Sequence, residues 1–521
     1  MNRSSSIAPV PTLEDASACG PTGELRRNDS AASKASRLSL GTRVFQNTIV
    51  LLGGRALSLL LSAVASILLA RYLGRERMGE YGALYAYLAL YSWLSTFCLE
   101  QILAREVAGR RSEAAVIFHT GSMVGLSFAL AGAILAPLLA PLFGYTGQLR
   151  WLIAVAALDL LILPPIRLPG IVFQVDMRQW FSVGIGLVRQ VLWLAAIVLL
   201  AMRNAAFYQV IVVRTICGIL EAGLVLKLCY RPGMVTGPRR FDLTEARRLL
   251  RYAFPLAMSA ISVGVFYRID QVMLHNMTGD RALGPYVVAA QLTEQFGMLP
   301  VALISSLFPV LVQTVHQEEQ FRHYLDVSYR FLMSVVFFAC AVVTPVTAPL
   351  VSLLYGKEFL PTAGLINVLI WSEVPLFLGV ALTNALIAKN LQRYLPYSTA
   401  VGAVMNIGLN LMFIPRWGAL GAAWATVISY AVATVLFYLV FQPARAMTWQ
   451  GLRIALPPFA VALAITWALR HLPVHFAAKI LIATLLYAVG AWLTGTVRRA
   501  EIKRLWEIFR GALRFSPQET L

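Results

Sequence analysis

Charge is scarce in this chain. Asp, Glu, Lys and Arg make up 13% of its 521 residues, against 58% hydrophobic residues and a mean hydropathy of +0.69. Soluble domains carry about a quarter charged residues, so a water-facing globular surface cannot be assembled and lipid must replace water around most of the molecule. Acidic residues are fewer still, 25 against 44 basic ones, which leaves a formal net charge of +19. The basic residues fall in blocks between apolar runs instead of lining a groove with interleaved aromatics, which argues against nucleic acid as a partner. Cysteine is rare: Cys19, Cys98, Cys217, Cys229 and Cys340 show no CxxC spacing and no nearby His, so they read as small buried hydrophobes and no metal site is expected. No GxxxxGK[ST] run occurs either, so no nucleotide-driven step and no cofactor is expected. The N-terminal stretch lacks the apolar core of a cleaved signal and is rich in Ser, Ala and Pro; residues 1–42 read as a disordered tail.

What is present is a succession of apolar runs, each long enough to cross a hydrocarbon core of about 30 Å. They fall at 45–69, 82–103, 115–143, 151–172, 181–202, 205–228, 252–275, 285–311, 328–354, 362–387, 395–414, 418–441, 452–470 and 475–496. The fold class is therefore an all-α integral membrane protein of about fourteen transmembrane helices. An even number of spans puts both termini on one side. Six Lys or Arg precede residue 44, six lie in 229–251 and six follow residue 496, while the alternate loops hold far fewer, which places the termini in the cytoplasm. The opposite loops are short, so no extracytoplasmic domain can house a soluble active site, and a membrane-embedded polysaccharide polymerase or glycosyltransferase is the weaker reading.

An internal repeat appears at a constant offset of 205. Gly74, Gly79 and Tyr81 after the first span match Gly279, Gly284 and Tyr286 after the seventh. Six helices return the chain to its starting side, so a duplicated six-helix half gives a parallel repeat. The expected organisation is a tail over 1–42, a first lobe over 43–228, a basic cytoplasmic linker over 229–251, a second lobe over 252–441, two additional helices over 442–496 and a basic cytoplasmic tail over 497–521.

Four segments then carry a resemblance: LLARYLGRERMGEYG after the first span, YRIDQVMLHNMTGDRALGPYVVAAQL through the seventh and eighth, LLYGKEF after the ninth, and NIGLNLMFIPRWGALGAAWATVIS in the eleventh and twelfth. In that order they resemble Wzx-type polysaccharide flippases of the multidrug/oligosaccharidyl-lipid/polysaccharide (MOP) exporter superfamily, from about residue 43 to 441. The resemblance implies two six-helix lobes around a central cavity. It implies export of a polyprenyl-pyrophosphate-linked oligosaccharide across a bacterial inner membrane by alternating access, with membrane lipids, a polysaccharide polymerase and chain-length machinery as partners. The long N-terminal tail and the last two helices depart from the twelve-helix pattern. A multidrug or organic-cation antiporter of the same superfamily is the alternative.

Ionisable side chains at membrane depth cost several kcal/mol unless they face water or a partner. The spans hold Arg55, Arg189, Arg214, Arg268, Glu100, Asp159, Glu221, Asp270, Glu294 and Glu373. Arg55 sits about 15 Å into the first helix; it is a candidate for gripping diphosphate oxygens, or for a structural pair with an acid. Arg268 and Asp270 stand about 200° apart around one helix, so they cannot share a narrow face. The match of YRID to the family segment implies Arg268 on the substrate path and Asp270 as a partner or an ion-coupling carboxylate. Glu294, flanked by Gln291 and Gln295, is a candidate for the cavity and for proton exchange, or for an ion pair with an arginine. Arg189, Arg214 and Glu221 read as pairs within the first lobe. Asn406 and Asn410, spaced i, i+4, read as hydrogen-bonding glue between helices, and Pro255, Pro300 and Pro309 mark candidate hinges.

Overall fold

The computed structural model describes residues 23–175, 180–229, 240–304 and 307–496. Every regular element among the described residues is helical. Eleven helices are long and apolar enough to cross a membrane, and the difference from fourteen arises at three places. The first two spans read as one helix because they join directly at Gly74. The eleventh and twelfth join in the same way at Gly418. The eighth is broken into pieces too short to count.

In chain order the segments are α1 (23–73), α2 (75–109), α3 (Ala114–Leu139), α4 (147–175), α5 (Trp180–Met202), α6 (Phe207–Cys229), α7 (Leu243–Thr278), α8 (280–304 and 308–313), α9 (318–355), α10 (361–388), α11 (395–417), α12 (419–440), α13 (Gln442–His471) and α14 (Phe476–Leu493). Helix α1 begins at Gly23, inside the segment expected as a tail; residues 1–22, residues 230–239 of the linker and the tail after 496 lie outside the described residues. The expected linker is already helical from Leu243.

The repeat has a conformational signature. Gly74 (φ 70°, ψ 179°) and Gly279 (φ 81°, ψ 173°) adopt the same backbone conformation, one open essentially to glycine alone. Each is followed by a helical piece of the same length, 75–89 in α2 and Asp280–Glu294 in α8, and both helices then break. Helix α8 resumes at Met298 and again at Phe308, with Pro300 and Pro309 in the first turns of the new pieces, where a missing N–H costs nothing. Helix α2 resumes at Ser92 and Leu99 without any proline; Phe97 (φ 47°) and Cys98 (φ 55°) take the left-handed conformation instead. Pro255, by contrast, sits inside α7, which runs through it without a break, and only the α8 positions coincide with breaks.

The halves meet along α2 and α8, where Met78, Leu84 and Tyr87 pack in one core with Leu283, Tyr286 and Val288. An added Cβ at Gly79 would lie 1.9 Å from the Asp280 carbonyl oxygen, and one at Gly284 would lie 1.9 Å from that of Arg75. These two approaches exchange under the 205-residue offset, so a pseudo-twofold axis runs between α2 and α8. The same end is sealed by Arg71 Nε donating to Leu354 O (2.6 Å), by Arg75 N–H donating to Glu358 Oε1 (3.1 Å), and by Tyr145 stacked on His275 at 4.7 Å. At the opposite end the first turns of α7 pack into the first half, Leu249 and Ala253 joining Phe118, Leu168 and Phe173. Helices α13 and α14 lie on α9, where Tyr329, Phe337 and Tyr487 share a core.

Helix α7 is started by Asp242, whose carboxylate accepts the backbone N–H of Thr244 (2.8 Å) and of Glu245 (3.1 Å). The Glu245 and Thr244 N–H groups hold that carboxyl below the ordinary carboxylate range. A depressed folded value stabilises above the unfolded pKa of about 3.9 and is lost as pH falls through the folded value. Asp242→Ala is therefore expected to lower the thermal midpoint at neutral pH, by a margin that closes under strong acid, while Asp242→Asn keeps the cap. Thermal unfolding followed by tryptophan fluorescence checks both outcomes; a midpoint unchanged in Asp242→Ala would show that the cap is idle.

Candidate functional site

A cavity of about 840 Å³ opens between the halves, walled by α1, α2, α4, α5 and α6 on one side and α7 and α8 on the other. That volume lies within the usual range of small-molecule sites, about 300–1,000 Å³. The described lining carries Arg167, Arg189, Arg214 and Arg268 against Asp159, Glu221 and Glu294, the acids one fewer than the bases.

Helix α7 supplies Arg268, which donates from Nη1 to Glu294 Oε1 and from Nη2 to Glu294 Oε2, both at 2.9 Å. This is the two-pronged geometry that a guanidinium offers to planar or tetrahedral oxyanions. Glu294 closes the first piece of α8, the turn before its break. Both side chains are about one-third exposed, to the cavity. Gln271, Gln291 and Gln295 line the same wall, and Gln291 Oε1 accepts from Ser66 Oγ of α1 at 2.8 Å, a bond between the two halves.

Asp270 is absent from the lining. The 200° rotation turns it into the second half, where it is buried and accepts from the Gln271 N–H (2.7 Å), the Tyr286 hydroxyl and Thr426 Oγ1 (3.5 Å). Asn406 and Asn410 lie behind it: Asn410 Nδ2 donates to Asn406 Oδ1 (2.8 Å), and Asn406 Nδ2 donates to Ser429 Oγ (3.0 Å), tying α11 to α12.

On the opposite wall Arg189 Nε meets Glu221 Oε2 at 2.8 Å, a pair between α5 and α6. Arg214 pairs with Asp159 of α4 at 3.8 Å, donates to the Tyr81 hydroxyl and lies 4.0 Å from the Tyr85 ring centroid. Asp159, Tyr81 and Tyr85 carried no assignment at the sequence level. Tyr81 was visible as a repeat position, and its counterpart Tyr286 holds Asp270, so equivalent tyrosines serve charges of opposite sign. The Arg55 side chain lies outside the described residues. Glu100 pairs with Arg167 at 3.3 Å, and Glu373 is buried against the break of α8. Among the described residues no cluster of His, Cys, Asp and Glu could hold a metal ion.

The family model described as "Polysaccharide biosynthesis protein" matches residues 44–315, and the MatE model matches residues 255–412. Among curated proteins, the chain is 25% identical over 221 residues to the "Probable low-salt glycan biosynthesis flippase Agl15" of Haloferax volcanii, covering 42% of this chain and 47% of the relative. It is 24% identical over 204 residues to the "Lipid II flippase MurJ" of Bacillus subtilis, covering 36% of this chain and 37% of that one. The chain thus spans less than half the length of the curated relatives it matches. Among solved structures, "Lipid II flippase MurJ, inward closed conformation" superposes with a TM-score of 0.67 at 15% identity, over 86% of this chain and 98% of that one. An inward-facing multidrug resistance MATE family transporter of the MOP superfamily gives a TM-score of 0.60 at 12% identity, over 80% and 96%. At these identities the superpositions establish the fold.

Proposed function

The chain belongs to the polysaccharide biosynthesis protein family, and from that premise we propose that it flips polyprenyl-diphosphate-linked oligosaccharides across a bacterial inner membrane by alternating access. The observation that carries the reading is the cavity between the halves, lined by arginines from both: Arg189 and Arg214 on one wall, Arg268 on the other. An anionic headgroup is drawn into such a site, and guanidinium forks fit phosphate oxygens. An organic-cation antiporter, the reading the MatE match would favour, calls for a cavity in which acids outnumber bases; here they do not.

With both termini in the cytoplasm, the sealed end at Gly74 and Gly279 faces outward. The cytoplasmic end is bridged as well, by the first turns of α7 packed on the first half and by Arg110 with Glu245, so cargo from the cytoplasmic leaflet enters once that contact opens. Opening the outer end requires α2 and α8 to part at their glycine contacts, and the breaks after residues 89 and 294 let the outer pieces move without dragging whole helices. Asp270 is the carboxylate best placed to sense a coupling ion, since its partners come from α7, α8 and α12.

A deletion strain tests the reading. Loss of the protein is expected to stop surface polysaccharide while lipid-linked repeat units accumulate in the cytoplasmic leaflet, and the wild-type gene is expected to reverse both. Polymer unaffected by deletion would overturn the assignment and make cation export the next test.

A further inference from the structure

The arginines of the described cavity wall differ in how firmly they are held. Glu294 fills both prongs of the Arg268 fork at 2.9 Å. Arg214 pairs with Asp159, donates to the Tyr81 hydroxyl and lies over the Tyr85 ring, and Arg189 is held through Nε, 2.8 Å from Glu221. Arg167 is the loosest of the four. Its Nη1 donates to Glu100 Oε1 at 3.3 Å, past the usual N–H···O range, and among the described residues it makes no other hydrogen bond. The Arg167 side chain is 55% exposed and that of Glu100 35%, so water screens the pair and the tie between α4 and α2 is weak.

Depth separates it as well. Arg167 and Asp159 are eight residues apart on α4, so both line the cavity but lie about 12 Å apart along the axis. Measured from the sealed end, Arg167 is about 30 Å along α4 from Gly147, whereas Arg268 is about 15 Å along α7 from Thr278. Arg167 therefore stands toward the opposite mouth, with the Arg214–Asp159 and Arg268–Glu294 pairs deeper in. Its partner Glu100 belongs to the inner piece of α2, Leu99–Gly109. Glu106 of that piece meets Arg248 of α7 at 3.1 Å, and Arg110 just beyond it meets Glu245. The piece that bridges the two halves is thus also the one that faces Arg167.

We propose that Arg167 is the entry contact of the cavity: it receives the diphosphate headgroup at the cytoplasmic mouth and hands it on to Arg268. This rests on the flippase reading, which supplies the anion, and on the cytoplasmic placing of the termini. A guanidinium that is exposed and weakly tied can turn to an oxyanion without leaving a buried carboxylate unpaired, and its charge raises the local concentration of anions at the mouth. Glu100 is then a competitor for that guanidinium and not its support. The two roles differ in sign. If the pair were only a tie between α4 and α2, removing either partner would break the same bond and do the same harm. If Arg167 receives the cargo, removing it weakens entry, while neutralising Glu100 strengthens entry. Because charge and exposure carry the contact, lysine should serve here, unlike at the two-pronged site of Arg268.

Inverted inner-membrane vesicles, whose cytoplasmic face is outward, supply the test. A fluorescent undecaprenyl-diphosphate sugar is given to that face, and its protection from an external quencher reads passage by wild type, Arg167→Ala, Arg167→Lys and Glu100→Gln at matched protein levels. The expected result at low salt is a half-saturating probe fraction raised about tenfold in Arg167→Ala, near wild type in Arg167→Lys and lowered about twofold in Glu100→Gln. The change should appear in half-saturation and not in the rate at saturating probe. It should also shrink between about 0.01 and 1 M salt, as the screening length falls from about 30 to about 3 Å. Equal rises in Arg167→Ala and Glu100→Gln would show a structural tie and overturn the entry role, as would no change in either, with the flippase reading left intact. No protected probe with wild type would overturn that reading and the entry role with it. Should Arg167→Ala not accumulate in folded form, Glu100→Gln decides alone: a half-saturating fraction at or above the wild-type value would overturn the proposal.

Discussion

Alanine at Gly79 and alanine at Gly284 are each expected to cut polysaccharide export at least about fivefold, by nearly equal factors, with the protein still present in the membrane. The new methyl at either site would sit 1.9 Å from a backbone oxygen of the facing helix, Asp280 O for Gly79 and Arg75 O for Gly284. A backbone carbonyl cannot rotate aside as a side chain can, so α2 and α8 must separate and the sealed end must open. Overpacking of this kind costs about 1–3 kcal/mol, enough to shift a two-state equilibrium by about five- to 150-fold away from the closed state. Equality of the two effects follows from the pseudo-twofold axis. Gly223→Ala in α6 is the control: nothing lies within 4 Å of its added methyl, and export should stay at the wild-type level. Complementation of the deletion strain at matched protein levels reads all three. Strong loss at one glycine with none at the other would contradict the reciprocal contact.

Arg268→Ala is expected to reduce export at least tenfold, and Arg268→Lys to restore little of it. Lysine keeps the charge, but its ammonium cannot present two parallel N–H donors to one oxyanion. The informative variant is the double substitution Arg268→Ala/Glu294→Ala. If the pair were only a structural tie within the second half, removing both partners would relieve the unpaired carboxylate and recover function. If Arg268 holds the cargo, the double variant stays inactive. Export measured with quantified protein in the membrane separates the two.

How much of this could be read in advance differs by scale. The all-helical, many-span architecture was legible because each crossing needs about twenty apolar residues, and eleven helices meet that requirement among the described residues. The breaks in α2 and α8 were not, since a broken helix at membrane depth keeps the composition of an intact one. Pro300 and Pro309 hinted at those in α8, but Phe97 and Cys98 in α2 carry no such signal. The repeat was legible at Gly74 and Gly279 because only glycine fits the turn they make.

Side-chain partners were legible along a helix and not between helices. Arg268 and Asp270 part to opposite faces, as spacing alone dictates, and Asn406 reaches Asn410 for the same reason. Arg189, Arg214 and Glu221 were legible as paired within the first half, but not which acid each arginine takes: Glu221 meets Arg189 of α5, and Arg214 meets Asp159 of α4. Which helix lies beside which, and at what height, depends on tertiary register that periodicity does not encode. The same limit hid Tyr85 under the Arg214 guanidinium and Glu373 beside the α8 break.

The most direct measurement is translocation itself, with the purified protein in liposomes carrying a fluorescent undecaprenyl-diphosphate sugar and with quenching from outside reporting the leaflet. The expected result is that wild type brings the inner-leaflet probe to the quencher without ATP, and that Arg268→Ala vesicles behave like protein-free ones. Wild-type vesicles indistinguishable from protein-free ones, or equal rates for wild type and Arg268→Ala, would contradict a flippase that carries its diphosphate cargo on this arginine.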